Sequence, residues 1–105
     1  MKSKALDKFL NLAKSLKGKV QSVYLFGSRA RGQERPDSDY DLLLIVSEHF
    51  TLADKDTLYD YVMDVLLETG HVLSLKIFKE KEFERLVQLH TPFTQNVLKE
   101  RILVG

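Results

Sequence analysis

A chain of 105 residues is near the commonest size for one folded domain and long enough for a real hydrophobic core. Its 44% hydrophobic and 30% charged residues make an ordinary soluble, globular balance, and a net charge of +1 supplies no bulk attraction to nucleic acid, membranes or strongly acidic partners. With no cysteine, disulfides, thiolate catalysis and cysteine-ligated zinc are excluded.

Residues 4–17 carry Leu6, Phe9, Leu10, Ala13 and Leu16 at helical spacing. Ser3 is placed to cap the start of that helix and Gly18 to stop it. Met1, Lys2, Ser3 and Lys4 lead into this amphipathic pattern rather than into a signal-peptide core, and no apolar run reaches the roughly 18 residues that span a membrane. A cytoplasmic location and a single domain over residues 1–105 are expected. Val20 to Phe26 (VQSVYLF) is β-branched and aromatic between two glycines, which predicts a buried strand. Gly27-Ser28 then turns the chain, and Arg29-Ala30-Arg31-Gly32 fits a short helix. Gln33 to Ser38 is a loop by composition, because Pro36 restricts Arg35 and Asp37-Ser38 favours turning. Asp39 to Val46 (DYDLLLIV) predicts a second, mostly buried strand, polar at positions 39 and 41.

Thr51 is a candidate N-cap with Asp54 in the first turn, and Leu52, Leu58, Tyr61, Val62, Val65 and Leu66 continue a helix through Glu68, ended by Gly70. His71 to Phe78 (HVLSLKIF) predicts a third strand. Its inward set is either Val72, Ser74 and Lys76 or the more apolar His71, Leu73, Leu75 and Ile77. Lys79 to Leu89 reads as a helix with Phe83, Leu86 and Val87 facing in. Thr91-Pro92 breaks it and starts a last helix, Phe93 to Glu100, and Ile102-Leu103-Val104 fits an edge strand. The order implies an α/β or α+β domain, a small mixed sheet of three or four strands covered by helices.

The chemistry concentrates in residues 20–46. Gly27-Ser28 between a strand and a helix start offers open backbone N–H groups, a hydroxyl and the positive end of a helix dipole, the ingredients of an anion site. Asp39 and Asp41, two apart at a strand start, share one face, with roughly 6.6 Å between them along the backbone. Two like charges so placed raise each other's proton affinity, so a cation is expected between them. Mg²⁺ suits the position, since it takes one or two carboxylates with waters and phosphate oxygens. A second ion sharing the pair would give a two-metal arrangement. Ser28 has no His/Asp relay and Gly27-Ser28 no following Gly-Lys-Ser/Thr, which excludes a serine hydrolase and a P-loop. His49, His71 and His90 show no ligand spacing. The aromatic residues sit in core patterns rather than as a stacking platform, so direct nucleic-acid binding is not expected. Tyr40 lies between the aspartates and is expected to face away from them, as packing.

Gly27-Ser28, ten residues, then Asp39-Tyr40-Asp41, with Arg29-Ala30-Arg31-Gly32 inside, resembles the signature of the DNA polymerase β-type nucleotidyltransferase superfamily. The short length, GSRARG…SDYDLLLIV, the leading helix and the tail TPFTQNVLKERILV most resemble its minimal nucleotidyltransferase branch. The resemblance implies that fold, with Gly27 and Ser28 holding nucleotide phosphates, Arg29 and Arg31 assisting with phosphate charge, and Asp39 and Asp41 binding one or two Mg²⁺ ions at the catalytic centre. On the surface Arg31 could equally pair with Glu34 or Asp37. The implied function is Mg²⁺-dependent transfer of NMP, as AMP from ATP, to a hydroxyl acceptor. A tyrosine of a partner HEPN-type toxin is the implied acceptor in an antitoxin role; a homo-oligomer is the other partner the resemblance leaves open. Catalytic members of the superfamily carry a third carboxylate on a later strand. HVLSLKIF contains none, Val72 occupies the matching position, and Glu68 precedes the strand. The alternative function is therefore a catalytically weak nucleotide-binding or interaction module that neutralises a partner by contact.

Overall fold

The computed structural model describes residues 3–105; Met1 and Lys2, read from the sequence as the lead into the first helix, lie outside the described residues. Helix α1 (Lys4–Ala13) starts at the expected cap, where Ser3 Oγ accepts the Leu6 N–H at 3.2 Å and satisfies one of the helix's free donors. It tightens into a 3-10 turn over Lys14–Leu16 before the chain enters β1 (Val20–Phe26). The remaining elements are β2 (Tyr40–Val46), α2 (Leu52–Thr69), β3 (Leu73–Lys79), α3 (Glu80–Gln88), α4 (Pro92–Glu100) and the two-residue β4 (Ile102–Leu103). At the start of α2 the Thr51 hydroxyl accepts the Asp54 N–H at 3.2 Å while Asp54 Oδ2 accepts the Thr51 N–H at 2.8 Å, a reciprocal cap that fixes where the helix begins.

The four strands form one sheet in the order β3-β2-β1-β4, with β1 antiparallel to β2 and β4, and β2 parallel to β3. A parallel pair needs a long crossover, which α2 provides. Leu42, Leu44 and Val46 of β2 pack with Phe9 of α1 and Leu58 and Val65 of α2 on one face. Leu43 and Ile45 pack with Phe83 of α3 and Val97 of α4 on the other. Burial on both faces is why the β2 sequence is an unbroken apolar run after Asp41. The fold is therefore the expected mixed α/β arrangement, with the C-terminal residues supplying the fourth strand.

Two local expectations change. Residues 29–32 form a single hydrogen-bonded turn rather than a helix: the Arg31 N–H donates to the Gly27 carbonyl at 3.2 Å and the Gln33 N–H to the Ser28 carbonyl at 2.9 Å. Four residues between two glycines are too few to repay helix nucleation. Strand β3 begins at Leu73 rather than His71, and of the two inward sets the apolar one faces the α1/α2 core, with Leu73 and Leu75 buried.

Candidate active site

The end of β1 and the start of β2 lie side by side, with Phe26 paired to Asp41 across the antiparallel ladder. Asp41 is paired on its other side with Ser74 of β3. Strand alternation sends the Asp41 side chain to the face carrying Leu43 and Ile45, the α3/α4 side, and the charge of Asp39, just ahead of β2, acts on it. Gly27, immediately after Phe26, has φ +76°, and a Cβ placed on it would lie 2.3 Å from Asp41 Oδ2. The glycine is thus required twice, by a left-handed backbone and by a carboxylate resting against its Cα. This contact brings the phosphate-type turn and the carboxylate pair, fourteen positions apart, into one site.

Partial burial and the charge of Asp39 push the Asp41 carboxyl above its usual range, partly offset by Lys76 and Arg31. Asp41 therefore holds its proton more tightly folded than unfolded. It favours folding while protonated, and that contribution is lost as pH rises through its folded-state value. Metal-free Asp41→Asn protein is expected to melt at a higher temperature than wild type at neutral pH. The difference should shrink on acidification toward about pH 4, where an unperturbed aspartate also becomes protonated. Thermal melts across that range, without divalent ions, check both the sign and the trend.

The remaining sequence-predicted residues fall into two groups. Ser28 lies in the turn beside Gly27, and Arg31 donates from Nη1 to Glu100 Oε2 at 2.9 Å and from Nε to Gln33 Oε1 at 3.1 Å. Its ion-pair partner is thus Glu100 of α4, not Glu34 or Asp37. Glu100 Oε1 also accepts the Gly27 N–H at 3.0 Å. Both donors hold the Glu100 carboxyl below its usual range, Arg31 most strongly. Glu100 is a residue of the site that sequence spacing missed, because it enters from 73 positions away. Its position three residues after the buried Val97 would have put it on the sheet-facing side of that helix.

Arg29 takes a different direction. Its guanidinium lies 3.8 Å from the Tyr40 ring centroid, and its Nε donates to the Ser38 carbonyl at 3.0 Å. Tyr40 is buried on the α1/α2 face, accepts the Ser3 hydroxyl at 3.0 Å and meets His71 edge-to-face at 5.5 Å. Arg29 and Tyr40 therefore tie the turn after β1 to the residue preceding Asp39, and fix the loop that delivers the carboxylates. Tyr40 does face away from the aspartates, as alternation requires.

On β3 the face shared with Asp41 carries Ser74 and Lys76, with Val72 just ahead of the strand, where its carbonyl accepts the Tyr40 N–H at 3.0 Å. None is a carboxylate, and Glu68 sits on α2 paired with Lys8. Among the described residues no three His, Asp or Glu side chains converge at metal-binding range. The donor set is two carboxylates, Asp41 with raised proton affinity, beside backbone and guanidinium donors. It fits a hard divalent cation that takes its remaining ligands from water and phosphate.

Residues 6–104 match the nucleotidyltransferase domain model. The chain belongs to this family. A relative from Methanocaldococcus jannaschii, named as a candidate protein adenylyltransferase, is 34% identical over 102 residues, covering 92% of this chain and 91% of its own. Two solved structures share the fold. One, from Sulfolobus solfataricus and named as a candidate nucleotidyltransferase, has a TM-score of 0.52 and 19% identity, covering 98% of this chain and 87% of that one. The other, a toxin–antitoxin solved with AMP-PNP, has a TM-score of 0.59 and 15% identity, covering 93% of this chain and 70% of that one. The chain is a minimal nucleotidyltransferase. Among the described residues no helix is long and apolar enough to cross a membrane.

Proposed function

We propose that this nucleotidyltransferase, as one domain over residues 1–105, transfers AMP from ATP to a hydroxyl on a partner protein and releases pyrophosphate. The observation that carries it is the packing of the Asp41 carboxylate against Gly27, which sets metal-type and phosphate-type donors in one place. Gly27 N–H, Ser28 and Arg31 take the phosphate oxygens through charge-assisted hydrogen bonds. Asp39 and Asp41 hold Mg²⁺, which when bound neutralises phosphate charge and lowers the pKa of an attacking hydroxyl. Arg29 stacks on Tyr40 and keeps the loop ahead of Asp39 in place. In the transfer, the acceptor oxygen bonds to the α-phosphorus, the bond to the bridging oxygen breaks, and the β,γ-phosphates leave as pyrophosphate. The acceptor proton passes to solvent.

The relative's name supports adenylyl transfer to protein, and the toxin–antitoxin neighbour supports a partner toxin as acceptor. A HEPN-type partner presenting a tyrosine is the acceptor we propose, with the antitoxin role following from its modification. The test incubates the purified chain with Mg²⁺, ATP labelled at the α-phosphate and the product of the neighbouring gene. Label on the partner is the expected result, and label on neither protein under any nucleotide would remove the transfer reaction.

One observation favours a second reading. Ser74 and Lys76 occupy the β3 face beside Asp41, so no carboxylate there takes the acceptor's proton. A chain that binds ATP and its partner yet transfers no label would be the catalytically weak module that neutralises by contact.

A further inference from the structure

Glu100 ends α4, and its carboxylate spans the two groups best placed to meet a phosphate. One oxygen accepts the Gly27 N–H at 3.0 Å and the other accepts from Arg31 Nη1 at 2.9 Å. The glutamate side chain is 18% exposed, while the arginine remains open at 46%. A carboxylate and a phosphate are alike here: each is an anion whose oxygens satisfy a backbone N–H and a guanidinium together. A triphosphate bound to the same donors would meet a like charge already in place. Asp41 Oδ2 also lies against Gly27, so a second carboxylate borders the same anion cradle.

We propose that Glu100 is an internal stand-in for nucleotide phosphate: it holds the Gly27–Arg31 cradle in shape without ligand and is displaced when the triphosphate docks. The inference rests on the nucleotide-binding reading of the site. Displacing Glu100 costs its two hydrogen bonds, so its effect falls on nucleotide affinity. Asp39 and Asp41 stay where they are. Glu100 is accordingly a positioning residue that sets how much ATP the protein needs.

The test measures Mg·ATP affinity by calorimetry for wild type, Glu100→Ala and Glu100→Asp, with the Gly27 amide followed by ¹H–¹⁵N spectra. Glu100→Ala is expected to bind ATP about tenfold to a hundredfold more tightly, on the scale of one charge-assisted hydrogen bond. Glu100→Asp keeps the charge but loses a methylene of reach, and is expected to bind more tightly than wild type as well. If transfer is measurable, the fall in KM is larger than any change in kcat. Unchanged affinity in Glu100→Asp beside tighter binding in Glu100→Ala would mean simple charge repulsion and overturn displacement. Weaker binding in Glu100→Ala would make Glu100 a permanent part of the nucleotide site and also overturn it. If no variant binds ATP, the nucleotide reading fails separately, and inorganic tripolyphosphate decides the inference. A larger tripolyphosphate shift of the Gly27 amide in Glu100→Ala than in wild type keeps it; equal or absent shifts sink it.

Discussion

Gly27→Ala is expected to be the most damaging single substitution in the site. The left-handed backbone alone costs an alanine roughly 1–2 kcal/mol, and the new methyl would sit 2.3 Å from Asp41 Oδ2, inside any permitted contact. Either Asp41 swings out of the site or β1 and β2 separate at their ends. For a domain of this size the strain and displacement together should lower Tm by roughly 5–15 °C, with Mg²⁺-dependent nucleotide binding lost. Gly32 supplies the control: its φ is +70°, and a Cβ there meets nothing within 4 Å. Gly32→Ala should show the backbone cost only and retain nucleotide binding. Melting curves on both variants separate the two causes, and equal losses of Tm and of binding would mean that the Asp41 contact does not matter.

Asp39→Asn with Asp41→Asn is the second large expectation. Both replacements keep size and hydrogen-bonding capacity while removing the two charges that favour a cation. Label transfer should fall by at least about a hundredfold, the scale on which one electrostatic contact to a reacting centre acts. The fold should survive, since Asp39 is exposed and Asp41 is strained by its own charge. Transfer at the wild-type rate in this folded double variant would mean that the carboxylates are not the metal site.

Local rules made much of this arrangement legible beforehand. Ser3, Thr51 with Asp54, and Gly70 marked helix ends because capping is a matter of a few adjacent residues. The run LLLIV announced a central strand because both its faces are covered. Period two predicted Asp39 and Asp41 together and Tyr40 opposite, and in the structure Tyr40 packs on the face opposite Asp41. Side-chain direction in the turn after β1 was not legible. Arg29 and Arg31 are two residues apart, yet one stacks on Tyr40 toward the α1/α2 core and the other reaches α4. Nothing in the motif distinguishes them, because the difference depends on which elements later pack nearby. Glu100 was invisible for the same reason: its role exists only once α4 crosses the sheet and ends against Gly27.

The third strand shows a limit of a different kind. Its sequence revealed that no carboxylate is present, and the register shows what stands there instead, Ser74 beside Asp41 with Lys76 farther along. A cationic side chain on that face partly offsets the charge of Asp41. No carboxylate on β3 is thus placed beside Asp41 to act as a base.

Calorimetric titration of ATP into the wild-type chain and the Asp39→Asn/Asp41→Asn variant, each with Mg²⁺ and with a chelator, tests the central claim most directly. Wild type should bind ATP with Mg²⁺ and lose most of that affinity when the metal is removed, while the variant should bind weakly under both conditions. ATP binding that ignores Mg²⁺ in wild type, or that keeps its metal dependence in the variant, would contradict the assignment of Asp39 and Asp41 as the metal-holding pair.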